Sequence, residues 1–250
     1  MNKFLESHSL KGKVVWLTGG KRIGQEIALT LAELGADLVI SYRSSEKEAS
    51  EITGMAKQYG NKVLILQADV SDRESTANAV SQIKKEFGKL DIMVLLASIF
   101  KPVKLEDITD KDWDTNFSAH VKGTFWPIQL GLSLMSPGSH IITIADRTVL
   151  GEIYPGYLPY VVTKSGVATM TKALAVELGP KGIFINSIAP GPVLRPDDIS
   201  EKEWQEIRDG SLINYPLTDE EAVREFVHTA VRLSFARSSG GVYPLDFGHL

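Results

Sequence analysis

Short runs rich in branched and aromatic residues recur along the chain, and stretches with apolar residues three and four apart separate them. The runs at 13–17 (KVVWL), 37–42 (DLVISY), 62–67, 91–96, 139–145 (SHIITIA) and 182–188 predict buried strands, with an edge strand at 241–247. Between them, helical spacing is read from Ile27, Ala28, Leu31, Ala32 and Leu34, with Gly35 as a cap, and across 46–59, 73–87, 158–178 and 220–235. Residues 107–134 predict one long helix bent around Gly123 and Pro127. Strand and helix alternate through the first hundred residues, which is the pattern of βαβ units and a parallel sheet. The stretch 194–215 is polar and mixed, so it is read as a substrate loop or lid around Trp204. No repeat or linker interrupts the order, and residues 1–250 are expected to form a single domain. The fold class is α/β: a single-domain Rossmann fold with a doubly wound parallel sheet of about seven strands.

Composition narrows the chemistry. The net charge of -4 gives no footprint for nucleic acid or for an anionic membrane surface. With no cysteine there is no disulfide framework, thiolate metal site or thiol nucleophile. The five histidines are scattered without ligand spacing, so no metal is expected. No apolar run approaches the ~18 residues of a spanning helix, and a cytoplasmic location is the expectation.

Three places carry candidate chemistry. Tyr160 and Lys164, four apart on a helical stretch, point into the same space. A cation beside a phenol favours its ionised form and makes it a usable proton donor and acceptor near neutral pH. After the first strand, Thr18-Gly19-Gly20-Lys21-Arg22-Ile23-Gly24 leads into a helix. Glycines there admit a pyrophosphate to the backbone and to the positive helix end; the plain alternative is a tight βα turn. At the end of the second strand, where an NAD site places an acid, the chain carries Arg43, Ser44 and Ser45. Arg43 either pairs with the 2′-phosphate of NADP or is a solvated loop charge, and the missing acid beside Lys21 and Arg22 favours NADP. Asp146 stands just beyond the carboxyl end of the fifth strand, where ligands bind in open α/β sheets.

Taken in order, Thr18-Gly19-Gly20, Asp69-Val70, Tyr160-x-x-x-Lys164 and Pro190-Gly191 resemble the short-chain dehydrogenase/reductase family across nearly the whole chain. The resemblance implies a seven-stranded Rossmann sheet with Tyr160 as proton donor. It implies that Lys164 holds the nicotinamide ribose and lowers the tyrosine's pKa. Asp69 and Val70 would meet the adenine, Gly19, Lys21, Arg22 and Ile23 the phosphates, and Pro190, Gly191 and Val193 would flank the nicotinamide. Within the family, Arg22-Ile23-Gly24, the Leu95-Leu96-Ala97-Ser98 segment with Phe100 behind it, and Asp146 in the usual serine position resemble the pteridine-reductase branch. That likeness implies that Ala97 and Ser98 meet the cofactor, that Phe100 and Arg22 meet the substrate ring, and that Asp146 passes a proton to a ring nitrogen.

Three features depart from the family pattern. The glycine loop is one residue shorter, and Asp146 lies fourteen residues before Tyr160 rather than thirteen. His120 replaces the asparagine that continues the proton relay. It is either a catalytic relay or a buried structural residue, and Asn116, one turn earlier on the same face, is a substitute. The resulting expectation is an NADPH-dependent reductase of a carbonyl or imine, with a pteridine as the sharper substrate. A 3-oxoacyl thioester, sugar or other ketone reductase is the alternative, and a non-catalytic NADP-binding sensor is the rival from another class. The partners expected are a small-molecule substrate and, from the resemblance, further copies of the chain in a tetramer or dimer.

Overall fold

In a computed structural model, the structure describes residues 8–19, 21, 23–151, 153, 155–195, 199–213 and 218–249. Seven strands form one sheet in the order β3-β2-β1-β4-β5-β6-β7, and every neighbouring pair is parallel. They are β1 (Val14–Thr18), β2 (Asp37–Tyr42), β3 (Val63–Gln67), β4 (Leu90–Leu95), β5 (Met135–Ile144), β6 (Phe184–Pro190) and β7 (Val242–Leu245). The alternation within β1 shows why the sheet needs two covers. Val15 and Leu17 enter one core with Ile27 and Leu31 of α1 (Ile23–Glu33), Ile52 of α2 (Glu46–Ala56) and Phe226 of α8 (Asp219–Leu233). Val14 and Trp16 enter the other with Ile83 of α3 (Arg73–Phe87), Ile128 of α5 (Gly123–Gly131) and Leu178 of α6 (Leu158–Leu178). Parallel strands buried on both faces read as the unbroken apolar runs seen in the sequence.

The helix expected over 107–134 is broken differently from its prediction. It begins as α4 (Asp110–Asn116), held at its start by a reciprocal Thr109–Asp112 cap. It then widens into a π-helical turn at Phe117–Lys122 before α5. The break thus sits ahead of Gly123, and Pro127 is accommodated inside α5. A π turn shifts side-chain phase, and this one delivers His120 into the interior at 1% exposure. The 194–215 stretch is also corrected in part: it contains α7 (Glu201–Asp209), started by a Ser200–Glu203 capping box. Several strand ends move by one or two residues. β5 begins four residues before its predicted start, because Met135 pairs with Leu90 ahead of an irregularity in the ladder.

Chain order reverses between β1 and β4, and the loops leaving their carboxyl ends open a crevice there. Gly19 sits at φ +84°, and a Cβ on it would lie 3.3 Å from the backbone nitrogen of Ala97. At Gly24 an added Cβ would collide with the carbonyl of Gly19. The two glycines therefore bring the start of α1 against the turn after β1 and the turn against the segment after β4.

Candidate active site

One cavity of about 930 Å³ runs along the carboxyl ends of the strands. Its first end is built by the turns after β1, β2 and β3. Gly19, Lys21 and Ile23 line it beside Arg43 and Ser44, with Asp69 and Val70 opposite. Arg22 lies outside the described residues. Lys21 forms a 2.7 Å ion pair with Glu48 and holds that carboxyl below the usual range. Arg43 is more loosely engaged, 4.0 Å from Asp69, and its side chain remains 65% exposed. Asp69 also accepts from the backbone nitrogen and hydroxyl of Ser71, at 2.9 and 2.6 Å. Its carboxylate therefore fixes a turn as well as meeting a cation.

The middle is bounded by Ala97 and Ser98 after β4 and by Pro190, Gly191 and Val193 after β6. Across from them stands the reactive centre. β5 ends at Ile144 and delivers Asp146, while Pro159 at the start of α6 fixes the turn that delivers Tyr160. The Tyr160 hydroxyl donates to Asp146 Oδ2 at 2.6 Å, and Asp146 Oδ1 accepts from the Thr148 backbone at 2.9 Å. One helical turn along, Lys164 donates to the carbonyl of Ile144 at 2.9 Å, with its nitrogen 5.7 Å from the Tyr160 ring centroid. Burial pushes the Lys164 ammonium down to about 8, against an opposing pull from Asp146. Tyr160 and Lys164, which the sequence paired by helical spacing, meet Asp146, which it placed at the end of the fifth strand. All three are buried, at 6%, 3% and 7% exposure.

The far end is aromatic. Phe100 stacks on Tyr157 with ring centroids 4.4 Å apart and meets Tyr160 edge-on at 4.9 Å. Tyr157 was missed in the sequence; its position three residues before Tyr160, on the approach to the same helix, was the available signal. Trp204 and Ile207 of α7 also line the cavity. Trp204 Nε1 donates to Asp219 at 3.1 Å, and the same carboxylate takes Arg208 at 2.7 Å. Arg208 also reaches the carbonyls of Pro192 and Val193, both at 3.4 Å. Helix α7 is thereby tied to the turn after β6 that the resemblance assigned to the nicotinamide.

His120 does not join the cavity wall, where Ala119 stands instead. Its ring meets Thr163, Ser98 and Ile99 in the interior behind the wall. Burial, with the Lys164 charge adding to it, pushes its pKa down to about 3. Asn116, named as its substitute, spends its amide on the Asp112 carbonyl at 2.9 Å.

A family model described as Enoyl-(Acyl carrier protein) reductase matches residues 20–241. Versicolorin reductase 1 of Aspergillus parasiticus is 32% identical over 189 residues, covering 75% of this chain and 72% of that protein. A hydroxynaphthalene reductase-like protein, Arp2 of Metarhizium anisopliae, is 32% identical over 205 residues, 81% of this chain and 76% of that one. Among solved structures, a short chain dehydrogenase from Burkholderia cenocepacia in complex with NADP superposes with a TM-score of 0.86 at 29% identity. That match covers 96% of this chain and 98% of the other.

Proposed function

Because the chain belongs to the short-chain dehydrogenase/reductase family of oxidoreductases, we propose that it is an NADPH-dependent reductase of a ketone carried on a planar fused ring. The observation that carries this reading is the 2.6 Å Tyr160–Asp146 contact beside buried Lys164, set against the Phe100–Tyr157 stack. The long cavity has room for a dinucleotide along the strand ends, and Ser98 and Gly191 would flank its nicotinamide. Arg43 and Ser44 at the end of β2 suit a 2′-phosphate, and no acid stands there to take a free ribose hydroxyl. The solved NADP complex and the absence of that acid agree.

NADPH supplies a hydride to the carbonyl carbon when bound. The chain's own residues do the rest. Tyr160 gives its hydroxyl proton to the carbonyl oxygen, so ketone, NADPH and one proton become alcohol and NADP⁺. Lys164 would hold the ribose side of the cofactor and stabilise the phenolate that the transfer leaves. Asp146, fixed by the Thr148 N–H, holds the Tyr160 hydroxyl in the free protein, and the phenolate left by the transfer takes its next proton from solvent. Phe100 and Tyr157 supply a flat apolar wall, and Trp204 of α7 lines the same cavity. The hydroxynaphthalene name of one relative is of the same chemical class as that wall accepts.

A second reading, a dihydropteridine, is supported by the carboxylate of Asp146 beside the tyrosine and by the Ala97-Ser98-x-Phe100 segment. The two separate on one preparation. Turnover of NADPH with tetralone, a bicyclic aromatic ketone, and with dihydrobiopterin is measured on the native chain and on Asp146→Ser. The ketone reading expects tetralone to be reduced by both proteins; a native chain that reduces dihydrobiopterin alone, and loses that more than about tenfold in Asp146→Ser, favours the pteridine. No turnover of either with NADPH contradicts both.

A further inference from the structure

His120 stands behind the cavity wall and yet touches both halves of the reactive centre. Its Nδ1 lies 2.8 Å from Thr163 Oγ1, and its Nε2 lies 3.0 Å from Ser98 Oγ and 3.2 Å from the Ile99 backbone nitrogen. The Ile99 carbonyl is also 3.0 Å from Nε2. Thr163 Oγ1 in turn sits 2.7 Å from the carbonyl of Pro159 and 3.0 Å from that of Tyr160. Both carbonyls can only accept, and a hydroxyl has one proton to give. Thr163 therefore donates to them and accepts from Nδ1–H. Nε2 is left bare to take the Ile99 N–H and the Ser98 hydroxyl. A proton on Nε2 would serve the Ile99 carbonyl or the Ser98 oxygen, leave the Ile99 N–H without this acceptor, and set Nδ1 in competition for the Thr163 proton.

These contacts join two segments with different tasks. Ser98 and Ile99 lead directly into Phe100, which forms the aromatic wall, while Thr163 lies in the helical turn that carries Tyr160. The His120 ring also meets the Tyr160 ring edge-on at 5.3 Å. We propose that His120 is a positioning residue, a neutral two-ended tie whose reach sets the gap between the Phe100 wall and the Tyr160 proton donor. The inference rests on the ketone-reductase reading, because the gap matters only for a substrate that uses the wall. Burial and the neighbouring Lys164 keep the ring uncharged, its pKa being about 3. A protonated ring would also turn a donor onto the Ile99 N–H. The ionisable groups of the centre are thus Tyr160, Lys164 and Asp146, and His120 does not titrate with them.

The asparagine of the family pattern carries both amide atoms on Cγ. Such a side chain reaches the Nδ1 position but not the Nε2 position, so His120→Asn keeps the Thr163 end and releases the Ser98–Ile99 end. The kinetic test compares tetralone, which needs the wall, with butanedione, which is too small to use it. His120→Asn is expected to lower kcat/KM for tetralone about tenfold or more beyond its effect on butanedione, with NADPH affinity retained. Thr163→Val cuts the other end and should act in the same direction, and Thr163→Ser should restore the native ratio. Equal losses on both ketones that track the melting temperature overturn the proposal and leave His120 a packing residue. Nitrogen NMR of histidine-labelled protein, with His120→Asn for assignment, tests the tie without any substrate. The expected spectrum has one protonated and one bare ring nitrogen, unchanged from about pH 5 to about pH 9. A ring that titrates in that range overturns the proposal in favour of a proton relay. If the native chain reduces no ketone, the ketone reading fails and the NMR result alone decides the tie.

Discussion

Lys164→Met separates what the buried ammonium contributes to chemistry from what it costs the fold. The drop from 10.5 to about 8 corresponds to about 3 kcal/mol of preference for the neutral form, at ~1.4 kcal/mol for each tenfold change in acidity. The sign follows from proton counts. Between the folded value near 8 and the unfolded value of 10.5, the unfolded chain holds more protons, so stability rises with pH across that window. Below about pH 8 both states hold the proton and the full cost is present. Methionine removes the cost but leaves the Ile144 carbonyl without its 2.9 Å donor, a loss of about 1–3 kcal/mol. At about pH 7 the variant is therefore expected to be as stable as the native chain, or more stable by up to ~2 kcal/mol, while turnover is lost. The native chain should then gain about 2 kcal/mol on the variant between about pH 7 and about pH 9.5. Denaturant unfolding of both proteins without cofactor, at the two pH values, measures this. A stability difference independent of pH refutes the reasoning.

Two further outcomes follow from single contacts. On the proposed reading Arg43→Ala removes a charge-assisted partner of the 2′-phosphate, worth about 1.5–3 kcal/mol, and should weaken NADPH at least about tenfold in fluorescence titration with NADH nearly unchanged; equal loss for both cofactors places Arg43 elsewhere. Arg208→Met cuts α7 from Asp219 and from the carbonyls of Pro192 and Val193. It should lower unfolding stability by about 2 kcal/mol, since the arginine is largely buried and its partner partly exposed, and should raise the KM for NADPH; an unchanged KM with lowered stability confines the latch to a structural role.

The alternation of short apolar runs with helical stretches was enough to read the sheet, because a parallel strand buried on both faces has no polar positions to blur it. Tyr160, Lys164 and Asp146 were legible for a local reason: helical spacing or a strand end places each, and the fold only has to bring two such places together. Lys21 was read as a cofactor contact, but spacing could not show that Glu48, on the next helix, already holds it. Helix α7 was missed although Ser200-x-x-Glu203 is a capping box, because its single buried apolar anchor, Trp204, leaves almost no periodicity. Trp204 finds its place through Asp219, fifteen residues on, which no local pattern links to it. The π turn at Phe117–Lys122 was invisible for the same reason. Proline and glycine mark where a helix is weak, but the position of the extra residue is decided by packing against α6. His120 lies on that turn, behind the cavity wall rather than in it.

The central claim is that Tyr160 protonates a ketone reduced by NADPH, and Tyr160→Phe tests it most directly. Single-turnover oxidation of NADPH by tetralone is followed on the native chain and the variant, beside a fluorescence titration of NADPH on both. The ring and its contacts with Phe100 and His120 are kept, so cofactor affinity should be unchanged. Loss of the proton donor should slow the reaction by ~10²–10⁴. A variant that binds NADPH as the native chain does and reduces tetralone within about threefold of its rate contradicts the account, because the proton would then come from another group.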